Sequence, residues 1–192
     1  MKHPEIILLP VLMLADYYLT LYSDYLRLKK HSDYFDLESF ELNLGMQKEI
    51  RNRRLFSPKH CIGVVFMTLA LWCTSLAEEG VYEFILGFFL VTFGILLSRH
   101  IANIVMFDFV RRNAETIHGK ISVSYEFSLC SSRSSISVSL IPLILVSVFR
   151  PSIFVFGGIL ANLNLIYVHF AWGRRHRKRR IRSRELQDEA RS

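Results

Sequence analysis

Cysteine is scarce and poorly spaced for chemistry. Cys61, Cys73 and Cys130 are odd in number, form no CxxC pair and lie in or beside apolar runs. That excludes a disulfide framework and argues against a zinc site. Catalytic signatures are missing too, with no HExxH, G-x-S-x-G, P-loop or Gly-rich dinucleotide turn. Gly157-Gly158 with Ala161 suits close helix packing better than a phosphate cradle. The serines between 131 and 135 surround Arg133 and have no neighbouring base in sequence. No catalytic residue, metal ligand or cofactor is therefore assigned. The amino terminus also lacks the marks of a cleaved signal: Lys2 and His3 are a slight basic region, Asp16 interrupts the apolar run, and no A-x-A-like site follows. A retained helix is expected there.

What the chain has is apolar residue in blocks. Of 192 residues 51% are apolar, and they gather into runs separated by charged stretches rather than into amphipathic stripes. A soluble domain of this length has no room to bury several helices on every side, whereas a bilayer accepts them. The expected fold is all-α: an integral membrane helical bundle of about five transmembrane helices, two of them extending into the cytosol. The spans are placed near 6–22, 61–77, 81–98, 134–149 and 153–172. Residues 1–173 then form one transmembrane domain with a polar cytosolic stretch at 23–60, and 174–192 form a basic cytosolic tail. Lying flat on the surface is the alternative for 6–22.

Two segments need a choice. Within 23–60, residues 40–50 have the pattern of a short amphipathic helix, and Pro58 breaks the chain before the second span. Residues 121–130 alternate apolar and polar, which locally argues for a strand. At helical spacing, Ser124, Ser128, Ser131, Ser135 and Ser139 form a small-residue stripe of the kind that lets membrane helices approach. An open strand edge is untenable in lipid and no pairing partner is evident, so a long helix is preferred.

Orientation follows from Lys and Arg beside the spans. Eight lie in 24–60, three in 107–120 and eight in 173–184, against Lys2 and Arg150 alone on the other side. This places the N-terminus outside and the C-terminus in the cytoplasm. The net charge of +7 sits in these connections and in the tail, favouring anionic lipid headgroups over nucleic acid. Arg174, Arg175, Arg177, Lys178, Arg179 and Arg180 are the candidate contacts to lipid or to a protein partner. No aromatic residue interleaves them to stack on bases, so nucleic acid is the weaker partner.

Ionisable groups inside a bilayer cost roughly 2.5–3.5 kcal/mol each on insertion scales, so their depth is informative. Asp16, Thr20, Arg99, His100, Asn103, Asn162 and His169 form a candidate intramembrane polar cluster, most of it in the inner leaflet. One reading is a relay or binding site, with Asp16 and Arg99 as a charge pair and His169 titrating. The other is that Arg99 and His100 snorkel to the inner headgroups while Asp16 is simply paired or close to the interface, and Asn162 holds helices together.

The spacing Asp16-x3-Thr20, followed by Glu41-Leu-Asn43, resembles a pattern in small uncharacterised prokaryotic multi-pass membrane proteins. In those the acidic motif usually reads Glu-x-Asn-Pro. Here Leu44 stands in place of the proline, and the intervening stretch is longer. The match covers about a quarter of the chain; it implies a prokaryotic cytoplasmic membrane and no activity. Three function classes remain: a structural or assembly subunit, oligomeric or within a membrane complex, as first choice; a small channel or transporter using the polar cluster; and, third, a lipid-modifying membrane enzyme.

Overall fold

The computed structural model describes residues 3–37, 41–43 and 45–189. A 3-10 turn, Pro4–Ile7, leads into α1 (Leu8–Leu26), which runs on through a π-helical turn at Arg27–His31. Then come α2 (Ser32–Tyr34), β1 (Phe35–Leu37), α3 (Gln47–Arg51), α4 (Pro58–Ala77) and α5 (Glu79–Arg112). β2 (Ile121–Val123), α6 (Tyr125–Phe149) and α7 (Ile153–Glu189) complete the chain. Five helical stretches are long and apolar enough to cross a membrane: Pro4–Lys29, Pro58–Ala77, Glu79–Arg112, Tyr125–Phe149 and Ile153–Ser183. The protein is a helical membrane protein.

Helix boundaries follow local chemistry. Ser57 caps α4 by accepting from the His60 backbone N–H at 3.3 Å, and Pro58 occupies the first turn, where its missing N–H costs nothing. Ser124 caps α6 in the same way through the Phe127 N–H at 3.2 Å. Only Glu78, in extended conformation, separates α4 from α5. No capping side chain and no proline interrupts α5 or α7, so they run for 34 and 37 residues. At ~1.5 Å per residue both outreach a ~30 Å hydrocarbon core. The end of the bundle carrying Arg54, Arg112 and Arg174 is called the basic end below.

Helix α5 is the hub, packed against α7, α1 and α4, while α6 packs on α7. The α5–α7 crossing is glycine on both sides. A Cβ added to Gly157 would strike the Phe84 carbonyl, and one added to Gly87 would strike the Phe154 carbonyl. The backbones touch, a packing mode open only to small residues. Gly157→Leu is expected to cost about 1–3 kcal/mol of stability, the range for overpacking. Thermal unfolding in detergent checks it; an unchanged melting temperature would mean that the helices do not cross there. Toward the opposite end, which carries Glu5, Glu78 and Glu79 and is called the acidic end, Ile6, Leu9, Met13, Val64, Leu71, Tyr82 and Leu86 form the main apolar core. There the buried Tyr82 hydroxyl donates to Glu5 Oε1 at 2.8 Å.

Several boundaries depart from the sequence reading. The first helix is longer than 6–22, because Asp24 accepts from Arg27 (2.8 Å) and satisfies a charge inside the helical register. The short helix expected over 40–50 is confined to Gln47–Arg51, and residues 40 and 44 lie outside the described residues. A helix through 121–123 is not formed. Ile121–Val123 instead pairs in parallel with Phe35–Leu37, in the register Phe35 to Ile121, Asp36 to Ser122 and Leu37 to Val123. The missing partner was remote in sequence, and both strands lie outside the five candidate spans, so the bar on open strand edges in lipid does not apply to them. The buried face of α6 is also one residue out of step with the serine stripe: Tyr125, Leu129, Ser132 and Ile136 point inward. The basic tail continues the last helix as far as Glu189.

Candidate functional site

A cavity of about 410 Å3 lies toward the basic end of the bundle. Helix α1 lends it Asp16 and Thr20, one turn apart on one face. Helix α5 lends Arg99, His100 and Asn103, α7 lends His169, α4 lends Lys59 and His60, and the segment before α3 lends Glu41 and Asn43. Of the intramembrane cluster read from sequence, Asp16, Thr20, Arg99, His100, Asn103 and His169 therefore line one space. Asn162 does not. It is fully buried between α7 and α6, where its Nδ2 donates to Ser139 Oγ at 3.1 Å.

Asp16 meets His100 rather than Arg99. His100 Nε2 lies 3.1 Å from Asp16 Oδ1 and 3.0 Å from Thr20 Oγ1. Because the Thr20 hydroxyl donates to the Asp16 carbonyl at 2.7 Å, it accepts from the ring, which assigns the hydrogen to Nε2. His100 Nδ1 is then a buried nitrogen without a partner among the described residues, as is Nε2 of His60. The His60 ring stacks on Tyr17, with centroids 4.6 Å apart. Spare hydrogen-bonding capacity in a buried site is costly unless something else uses it.

Arg99 makes no hydrogen bond or ion pair within 4 Å among the described residues, and feels the carboxylates of Glu41 and Asp16 at longer range. It borders three spaces at once: the polar cavity, a groove on its lipid side, and a third cavity of about 400 Å3 shared with Ser128, Ser131 and Ser135. Most of the serine stripe thus lines empty volume instead of packing. His169, by contrast, is spent. Its Nδ1 donates to the Leu165 carbonyl at 2.7 Å and its Nε2 accepts from Ser132 Oγ at 2.9 Å, joining α7 to α6.

Glu41 is the lining residue whose chemistry sequence reasoning missed. Its carboxylate accepts the Asn43 backbone N–H at 2.6 Å. Burial pushes its pKa up to about 7, with the Asp16 charge adding to the rise; the Asn43 N–H, His100 and Arg99 oppose it. A group poised there exchanges a proton near neutrality. Glu41 and Asn43 belong to the acidic motif that follows the first helix, which was the available signal. Lys59 and His60 carried none, being placed by the cap at Ser57. His31, beyond the end of α1, is a different case. Sandwiched by Phe35 and Phe107, with ring centroids at 4.3 and 4.5 Å, it is held neutral by burial and by Arg27, its pKa lowered to about 4.

The basic run divides by face. Arg174, Arg177 and Lys178 line a groove of about 400 Å3 with Arg133 of α6, whose guanidinium lies 4.1 Å from the centroid of the Phe170 ring. Arg180 instead approaches Glu126 at 3.7 Å, and Arg175 and Arg179 do not line the groove. Arg133 joins this group because α6 and α7 pack together, which no local pattern announces. Among the described residues, no three of His, Cys, Asp and Glu are grouped to hold a metal ion. No protein-family model, curated protein or solved structure matches the chain.

Proposed function

We propose that the protein is a small transporter or channel that binds a polar, anion-bearing solute in the cavity between α1, α4, α5 and α7. The observation that carries this reading is the convergence of Asp16, Glu41, Lys59, Arg99 and His100 on 410 Å3 of space at the basic end of the spans. Helix-locking polar residues satisfy one another pairwise, as Asn162 and Ser139 do. In the cavity His100 Nδ1 and His60 Nε2 have no partner among the described residues, and ionisable groups near a membrane pathway mark solute or proton sites. In this reading Lys59 attracts the anionic group, and Glu41 supplies a proton-exchanging carboxyl. The Lys and Arg distribution orients the C-terminus and the cavity mouth toward the cytoplasm.

Proteoliposomes loaded with a pH-sensitive dye test the reading, with inorganic phosphate and succinate as probe solutes. A solute gradient of at least one probe is expected to drive proton movement above that of protein-free vesicles, and Glu41→Gln to reduce it at least tenfold. Wild-type vesicles indistinguishable from empty ones with both probes would remove the transporter reading.

The assembly reading is favoured by one observation. Helix α7 continues about 25 Å beyond Trp172, ending at Glu189, and offers a helical arm for docking. Mass measurement in mild detergent distinguishes a complex of defined size from a lone chain.

A further inference from the structure

Helices α5 and α6 both pack on α7 but scarcely on each other. The gap between them is a groove of about 520 Å3 facing the surrounding membrane, with Asn162 of α7 at its floor. Its chemistry changes along its length. Val91, Gly94 and Ile95 face Pro142 and Leu143 over the inner part, and Ser98, Arg99 and Ser135 stand at one end. Gly94 keeps the groove open, since nothing lies within 4 Å of where its Cβ would be.

Depth gives these positions meaning. Arg99 is the twentieth residue after Glu79, the start of α5, so at ~1.5 Å per residue it lies ~30 Å from the acidic end, one hydrocarbon thickness away. It therefore stands at the headgroup boundary of the leaflet on the basic side. Val91 lies eight residues back, about 12 Å toward the midplane, so the groove parallels the path of an acyl chain in that leaflet.

The donor inventory selects the ligand's charge. The Ser98 hydroxyl donates to the Gly94 carbonyl, Ser135 to Ser131, and Ser139 to Ile136. The Asn162 amide is used on Ser139. What remains among the residues at the boundary end is Arg99, without a hydrogen bond or ion pair among the described residues, the Glu41 and Asp16 carboxylates acting on it only at longer range. A guanidinium fork matches a phosphate in charge and geometry.

We propose that this groove seats one anionic phospholipid, its phosphate on Arg99 and one acyl chain along Ile95, Gly94 and Val91. The site is separate from the basic groove at Arg174 and does not depend on the transport reading. Palmitoyl-oleoyl phosphatidylglycerol is the probe, titrated against the delipidated protein in neutral detergent and read by native mass spectrometry, with the corresponding phosphatidylcholine as the neutral control. Wild type is expected to retain a tightly held phosphatidylglycerol at least tenfold in preference to phosphatidylcholine. Gly94→Leu, whose Cβ has nothing within 4 Å and whose branch occupies the groove, and Arg99→Gln should each weaken that adduct about tenfold. Replacing Arg174, Arg177 and Lys178 by Gln should leave it in place, and millimolar inorganic phosphate should not displace it. The proposal is overturned if Gly94→Leu retains the lipid as well as wild type, if phosphatidylcholine binds equally, or if free phosphate competes it away.

Discussion

Asp16→Ala lowers the unfolding free energy by about 3 kcal/mol, and His100→Ala by a similar amount, because each leaves a polar partner buried alone. The double variant loses less than the sum, with a coupling of about 1–3 kcal/mol, as expected for groups in contact. The contact is the 3.1 Å approach of His100 Nε2 to Asp16 Oδ1, reinforced by Thr20. The same cycle run on Asp16 and Arg99 should give a smaller coupling, since those two make no ion pair within 4 Å. Reversible unfolding in mixed micelles measures both cycles. Additive losses at Asp16 and His100 would mean that the two side chains do not meet.

Glu41→Gln stabilises the protein above neutrality and is close to neutral at pH 4.5. The sign follows from the direction in which burial moves the carboxyl. A group whose folded pKa is raised from 4.5 to about 7 binds its proton more tightly folded than unfolded. Its contribution is complete below about pH 4.5 and is lost as pH rises through 7. A tenfold change in proton affinity is worth about 1.4 kcal/mol, and because Glu41 is only partly buried by its surroundings, roughly 2 kcal/mol across the window is the expected size. Asp16, Lys59, His60, Arg99, His100 and His169 line the cavity in both proteins, so the comparison is the difference between wild type and Glu41→Gln at each pH. A difference that stays flat from pH 4.5 to 8 would show that Glu41 faces water.

Much of the fold was legible because a bilayer leaves few options. A helix that crosses it must be apolar over a continuous run, and such runs can be read residue by residue, as can the unbroken course of α5 to Arg112. Depth counting from span ends likewise put Asp16, Arg99 and His169 in one layer, and they border one cavity. What depth counting does not fix is rotation. Arg99 and His100 are neighbours about 100° apart on the helix, and packing of α5 on α1 turns His100, not Arg99, toward Asp16. The contribution of Glu41 and Asn43 was hidden because the polar stretch after α1 has no periodic pattern to show where it folds back. The pairing of Phe35–Leu37 with Ile121–Val123 joins segments more than eighty residues apart, beyond any local signal. The glycine contact was half visible: Gly157 stood out in sequence, while its counterpart Gly87 sat unremarked inside an apolar run.

The most direct measurement is accessibility of single cysteines in intact cells. With Cys61, Cys73 and Cys130 replaced by Ser, Glu79→Cys marks the first residue of α5, next to its connection with α4, and Arg182→Cys marks the far part of α7. A bilayer crossed five times, with the cavity end in the cytoplasm, puts these positions on opposite sides. A membrane-impermeant maleimide should then label residue 79 in intact cells and residue 182 only after permeabilisation. Labelling of residue 182 in intact cells, alone or together with 79, would contradict it.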